Sequence, residues 1–249
     1  AECFHKTVEA FNLAEKYQLP VYLTADLSLA VTEQTYPPEE FDMDAVEIDR
    51  GNVVDEESVG EWQDEQGRFK PHAITEDGVS PRTFPGTEGG VHMSTGLEHD
   101  ELGRRTEETG MRVEQVDKRT RKVETAKARE PFESREFGNP DAETLVISWG
   151  SNEGAMVEAM EYLDEDDIDV RFLSVPYVFP RPDLTEAIED AEETIVVECN
   201  ATGQFADLIE HDVLTRVTRV NKYDGVRFKA DELAERIADI LADETETTA

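Results

Sequence analysis

Basic residues are scarce in this chain. Lys and Arg together number 24 against 59 Asp and Glu, a formal net charge of −35 on 249 residues. Such a surface repels a bare phosphate backbone, so generic DNA or RNA binding and docking on anionic lipid are disfavoured. Cysteine is almost missing: Cys3 and Cys199 are the only two, and no CxxC occurs. A structural zinc or an iron–sulfur cluster held by this chain is therefore not expected, and two inert thiols in a reducing cytosol are. His92 and His99 lack partners at metal-ligand spacing. No apolar run approaches the ~20 residues of a membrane span. The opening AECFHKTVEAF carries neither a signal-peptide pattern nor a basic leader, and a cytoplasmic protein is expected.

What is present argues against disorder. Hydrophobic residues make up 38% of the chain and recur at strand and helix spacings, while the acids are dispersed and not gathered in one tail. The expectation is a folded protein with the acidic surface suited to a salt-rich cytoplasm, where screening reduces self-repulsion.

The first element reads as a helix, with Phe4, Val8, Phe11 and Ala14 at spacings of three and four, ended by Gln18–Pro20. Val21–Leu27 reads as an apolar strand. Helix then strand resembles the last α–β unit of a larger α/β domain, because one such strand cannot bury both faces of a parallel sheet. The missing layers would come from a longer chain or from a partner; otherwise the helix opens a small mixed domain. From Thr32 to about Lys70 the apolar content falls, and Tyr36, Phe41, Trp62 and Phe69 are the large side chains able to pin this excursion.

Pro71 to Gly103 is dense in glycine and proline, so its turns are specified locally. Arg82, His99, Asp100 and Glu101 sit there as candidates to face a ligand, with loop packing or capping of the next helix as the competing role. Thr106–Ala128 reads as one helix with Thr106 as N-cap. Its basic run Lys118–Lys122 suits either a phosphate or pairing with Glu107, Glu108, Glu114 and Glu124. Thereafter strands and helices alternate: Thr144–Trp149, Asp169–Val175, Thr194–Val197 and Thr215–Val220 as strands, with helices between them and a last helix at Asp231–Leu241. This rhythm predicts an open parallel α/β sheet covered on both faces. Ligands favour the C-terminal ends of such strands. There the sequence offers Ser151 and Asn152 in WGSNEG, and Asn200, Thr202, Gly203 and Gln204 in ECNATGQ, with capping of the following helix as the alternative for Asn200 and Thr202. Neither stretch is GxGxxG or a P-loop.

Three stretches together resemble the C-terminal part of the α subunit of 2-oxoacid:ferredoxin oxidoreductases, the group that includes pyruvate synthase and 2-oxoglutarate synthase. They are VEAFNLAEKYQLPVYLTADLSL; RTFPGTEGG with GLEHDELGRRTEE and VDKRTRKVE; and LVISWGSNEGAMVEAM with IVVECNATGQFADLI. The resemblance implies that residues 1–30 end a thiamine-enzyme pyrimidine-side domain. Residues 31–141 would form the acidic excursion, turn-rich loop and long helix, and residues 142–249 a transketolase-C-terminal-like domain. It implies CoA-dependent oxidative decarboxylation of a 2-oxoacid to acyl-CoA, CO2 and reduced ferredoxin, with coenzyme A as co-substrate. Thiamine diphosphate, Mg2+ and an iron–sulfur cluster are expected on a partner β subunit, with ferredoxin meeting the complex and no cofactor or metal bound by this chain alone. YPITP-like and PTRTEQ-like stretches of the family do not occur here and would lie upstream of Ala1, so no catalytic residue is assigned and the isolated chain is expected to be inactive. The acid excess points to a haloarchaeal version. The rival reading is a non-catalytic structural or interaction module of a multisubunit complex.

Overall fold

A computed structural model describes the backbone of residues 1–248 and the side chains of residues 1–242. In chain order the elements are α1 (Glu2–Tyr17), α2 (Leu27–Val31), α3 (Thr109–Arg129), β1 (Arg135–Gly138), β2 (Thr144–Trp149), α4 (Glu153–Glu165), β3 (Val170–Val175), α5 (Thr185–Glu189), β4 (Glu193–Glu198), α6 (Gln204–Val213), β5 (Thr218–Asn221) and α7 (Ala230–Thr248). The chain divides into two compact units, residues 1–24 with 34–130, and residues 25–33 with 131–249.

The second unit is built on a five-stranded sheet of order β1-β3-β2-β4-β5. Strands β2 to β5 are parallel, in register from Thr144↔Val170 and Thr144↔Glu193 outward. The largely apolar runs of β2, β3 and β4 suit strands buried on both faces. One face carries Val146, Phe172, Ile195 and Val197, covered by Met156 and Leu163 of α4 and by Leu233 and Ile237 of α7. The other carries Leu145, Ile147, Leu173 and Val196, covered by Ile188 of α5 and by Phe205 and Ile209 of α6. The expected α/β fold with both faces covered is present, but the sheet is mixed: β1 pairs antiparallel with β3. At its end Gly138 has φ +82°, and a Cβ there would lie 2.4 Å from the Val170 carbonyl oxygen, so glycine is required for the close approach.

The first unit carries α1, α3 and long irregular segments. Val54, Val59 and Phe69 are buried together with Trp62 against them. Phe41 packs edge-on against Phe4 at 5.6 Å and against Tyr36 at 5.8 Å. The large side chains of the 32–70 excursion thus do anchor it. Two expectations fail in detail. Val21–Leu27 is not a strand: residues 19–26 belong to no regular element and Leu27 opens α2. The described residues of this unit contain no strand for it to pair with, and a strand exists only through its neighbours. The long helix starts at Thr109 and not at Thr106, and Glu108 occupies the cap position. Thr106 instead accepts from the Glu108 amide at 3.2 Å, closing a turn ahead of the helix.

Phe172 lies on the interior strand β3 with no exposed surface and stacks on Phe137 of the edge strand β1. Phe172→Ala is expected to lower the free energy of unfolding by about 3–5 kcal/mol. The readout is the urea midpoint of the second unit, with an unchanged slope.

Candidate functional site

In the first unit the turn-rich segment 71–103 is fastened to α3 by side chains that reach its backbone. Gln115 Nε2 and Lys118 Nζ both donate to the His72 carbonyl at 3.0 Å. Lys118 also donates to the Ser80 hydroxyl at 2.9 Å, which in turn donates to the Ala73 carbonyl. Arg121 reaches the Thr75 carbonyl at 2.7 Å and Thr125 the Asp77 carbonyl at 2.7 Å. Lys122 reaches the Gln18 carbonyl at the end of α1 at 3.2 Å. Positions 115, 118, 122 and 125 recur at helix period, so they form one polar stripe down α3. Gly78 permits the approach: it has φ +80°, and a Cβ would lie 2.6 Å from the Lys118 carbonyl oxygen.

The stripe is buried. Lys118 is 3% exposed and Lys122 6%, and Gln115 is fully covered. Among the described residues no carboxylate lies within ion-pair distance of either lysine. Burial, with the neighbouring cations adding to it, pushes both ammonium groups down to about 8. His72 stacks on His99 with ring centroids 3.7 Å apart, and its Nε2 meets the Ser94 hydroxyl at 3.0 Å. Burial, then His99, Lys118 and Lys122, push His72 down to about 3, so it is neutral at physiological pH. Four buried polar atoms here have no partner: His99 Nδ1, Gln115 Oε1, Thr75 Oγ1 and Thr95 Oγ1.

The candidates of the loop are engaged within the chain. Arg82 pairs with Glu15 at 2.9 Å and lies over the Phe84 ring at 5.8 Å. Arg50, followed by Arg82, holds the Glu15 carboxyl below the usual range, against the effect of burial. Asp100 accepts from the amides of Leu102 and Arg104 and pairs with the Arg104 guanidinium at 2.9 Å. Glu101 accepts from the Ile74 amide at 3.0 Å and faces Lys70 at 3.4 Å. His99 differs, because one ring nitrogen is left over. The basic run does not pair as expected: Lys118 and Lys122 take backbone carbonyls, while Arg119 takes Glu98 at 2.9 Å. Sequence reasoning missed His72, Gln115, Lys118 and Lys122 as a group; the helix-period recurrence of polar residues in a helix poor in apolar ones was the available signal.

In the second unit the strand order reverses between β2 and β4, which makes their C-terminal ends a switch point. Glu198, at the end of β4, has no exposed surface. Its carboxylate accepts from the amides of Phe205 at 2.8 Å and Ala206 at 2.9 Å, from Asn200 Nδ2 at 2.7 Å and from Trp149 Nε1 at 3.3 Å. The N-terminus of α6 is thus occupied by the chain's own anion. Asn200 Oδ1 accepts from the amides of Thr202 and Gly203 and closes the turn before the helix. Thr202 does not cap; its carbonyl accepts from Arg219. Gly203 takes φ +70° at the cap position, and Gln204 starts α6 exposed. The Ser151 hydroxyl donates to Asp26, whose carboxylate also caps α2 through the Leu29 amide. Asn152 accepts from the Cys199 thiol at 3.1 Å, and burial pushes that thiol up, away from the reactive thiolate.

Among the described residues no three His, Cys, Asp or Glu side chains are grouped to hold a metal ion, and no helix is long and apolar enough to cross a membrane.

No protein-family model matches the chain. Along 98% of its length it is 32% identical to 2-oxoacid:ferredoxin oxidoreductase 1, subunit alpha, of Sulfurisphaera tokodaii, and along 96% it is 34% identical to the alpha subunit of that enzyme from Saccharolobus solfataricus. It spans 38% and 37% of those relatives' lengths. Its structure is similar to the 2-oxoglutarate:ferredoxin oxidoreductase of Magnetococcus marinus, solved with 2-oxoglutarate, coenzyme A and succinyl-CoA bound. That match has a TM-score of 0.80 and 28% identity over 96% of this chain and 40% of that one.

The buried lysines make a pH test of the stripe. Their folded pKa lies below the ordinary value, so the unfolded chain binds more protons between about pH 8 and 10, and stability rises with pH in that window. From pH 8 to 9.5 each lysine is expected to add up to about 2 kcal/mol. The double variant Lys118→Met, Lys122→Met is expected to lose this slope in urea unfolding followed across that range.

Proposed function

We propose that the chain is the C-terminal portion of the α subunit of a 2-oxoacid:ferredoxin oxidoreductase, a complex that converts a 2-oxoacid and CoA to acyl-CoA, CO2 and reduced ferredoxin. The observation that carries this reading is similarity to named alpha subunits along nearly the whole chain, joined by a fold match of TM-score 0.80. Thiamine diphosphate supplies the electron sink for such a decarboxylation when bound. It is assigned with Mg2+ and the iron–sulfur cluster to a partner β subunit, as is the route to ferredoxin. The present chain's contribution is the loop geometry fixed by α3 and the strand-end framework held by Glu198. On this reading residues 1–30 end the pyrimidine-side domain, residues 31–141 bear the loop, and residues 142–249 form the transketolase-C-terminal-like domain. The acidic surface fits a halophilic, cytoplasmic enzyme.

Within this reading Arg82, His99, Asp100 and Glu101 remain the residues through which the loop meets the 2-oxoacid, CoA or the partner. Support is strongest for His99, whose Nδ1 is buried without a partner beside the neutral His72. A scaffold role of the loop is the second reading, favoured by the intramolecular pairing of Arg82, Asp100 and Glu101.

The test is co-purification with the partner subunit in high salt, followed by an assay dependent on a 2-oxoacid and CoA with viologen or ferredoxin as acceptor. The assembled complex is expected to be active and the isolated chain inactive. His99→Ala and Arg82→Lys, with assembly checked first, are expected to lower kcat/KM about tenfold, equal to about 1.4 kcal/mol. Wild-type kinetics across oxoacid and CoA concentrations would assign the loop to scaffold.

The charge of −35 makes a separate expectation. Below 0.1 M salt the Debye length exceeds about 10 Å and the acids repel one another across the surface. The thermal midpoint is expected to rise from millimolar to molar KCl; an unchanged midpoint contradicts the halophilic assignment.

A further inference from the structure

Of Arg82, His99, Asp100 and Glu101, only His99 keeps a buried side-chain atom without a partner, its Nδ1. Its backbone is fixed. The His99–Arg105 bridge lies inside a hairpin in which the Asp100 amide donates to the Arg104 carbonyl at 2.9 Å and the Thr106 amide to the Glu98 carbonyl at 3.0 Å. Arg119 of α3 grips the Glu98 carboxylate with two bonds, at 3.0 and 2.9 Å. These contacts set the direction of the His99 Cα–Cβ bond. They do not set the ring, whose last torsion is broad and roughly two-fold. What lies against the ring is His72, tilted by only 22° and with centroids 3.7 Å apart. His72 is itself pinned at main chain and side chain. Its amide donates to the Glu101 carbonyl at 3.1 Å, on the same hairpin as His99. Its carbonyl accepts from the buried Gln115 and Lys118, each at 3.0 Å. Its Nε2 meets the Ser94 hydroxyl at 3.0 Å. Burial keeps the ring neutral at physiological pH, so it neither repels a cation nor competes for an anion beside it.

We propose that His72 is a positioning residue: by stacking, it fixes the plane in which the His99 imidazole meets its ligand, and Gln115 and Lys118 of α3 set that plane through the His72 carbonyl. The inference rests on the proposed role of His99 in the loop. An imidazole forms hydrogen bonds in its own plane and only through its two nitrogens, so turning the ring removes a bond to a reactant outright. A small misplacement of such a group costs much of its effect. With His72 in contact with its face, the His99 ring cannot turn edge-on without displacing a residue whose own backbone and ring are tied down. A side chain stacked for packing alone would need no bond on its own edge, yet Ser94 supplies one. The buried stripe on α3 then does more than shape the loop, because two of its members hold the carbonyl of the residue that sets the His99 plane.

The experiment is a double-mutant cycle in the assembled complex, with assembly and thermal midpoint checked for every variant. His72→Ala is expected to lower kcat/KM about tenfold, with the same split between kcat and the KM values for the 2-oxoacid and CoA as His99→Ala. The double variant is expected to be no worse than His99→Ala alone, because a plate without its partner positions nothing. His72→Phe, which keeps a flat ring against His99, is expected to restore kcat/KM to within about threefold of wild type. Ser94→Ala frees the His72 ring without touching its backbone; a loss of about threefold is expected, absent in the His99→Ala background. This variant carries the test if His72→Ala fails to assemble. Impaired His99→Ala beside wild-type kinetics for the His72 and Ser94 variants overturns the positioning role and leaves His99 in place. Losses that multiply in the double variant, or a His72→Phe complex as slow as His72→Ala, also overturn it. Wild-type kinetics for His99→Ala overturn the role of His99 itself, and the positioning role with it.

Discussion

The first unit depends on one buried polar stripe. Residues 71–80 run without regular structure, so their carbonyls have no ladder to satisfy them. Helix α3 supplies the donors instead, from Gln115, Lys118, Arg121 and Thr125. A hydrophobic stripe could not do this, since it would leave the carbonyls buried and unpaired at a cost of about 1–3 kcal/mol each. Lysine is the long donor that reaches across, and its burial has a cost of its own. That burial pushes both ammonium groups down to about 8, a cost borne for the sake of loop shape.

The second unit solves its backbone problem by other means. Four parallel strands satisfy one another, and apolar side chains fill both faces. The place where ladder bonding stops is the end of β4, and there Glu198 takes over, accepting the first free amides of α6. A buried carboxylate is tolerable when several donors surround it. The same residue fills the position in which an external anion would bind, so this strand-end crevice acts as an internally satisfied framework. Ser151, Asn152 and Asn200 have partners within it.

What was legible in the sequence follows from how local each signal is. The strands β2 to β4 were legible because a doubly buried parallel strand is a short, largely apolar run. The edge strand β1 was not, since Arg-Glu-Phe-Gly has no such run and pairs only because β3 presents an edge. Val21–Leu27 has the run but lacks the neighbours, and propensity without a partner makes no ladder. Of the candidate site, Arg82 and His99 were legible as ionisable residues on a turn-rich segment. Their partners were not. Glu15 lies 67 positions from Arg82, and a lysine that turns inward to a carbonyl, taken singly, reads like one in solvent; only the helix-period recurrence along α3 marks it.

The stripe and the acidic surface are linked through salt. Glu98 and Glu101 lie near enough to Lys118 to favour its charged form, without contacting it. Such through-space support weakens as ions screen it, so salt removes part of what keeps the buried ammonium charged. The same ions relieve repulsion among 59 acids. The second effect outweighs the first because it acts on the many exposed carboxylates, whose interactions are the ones ions reach, whereas the buried pair is shielded from ions by the loop it holds. An acid-rich chain of this kind can therefore keep cations inside at high salt: the exterior gains from screening while the interior hydrogen bonds, being short and covered, change little.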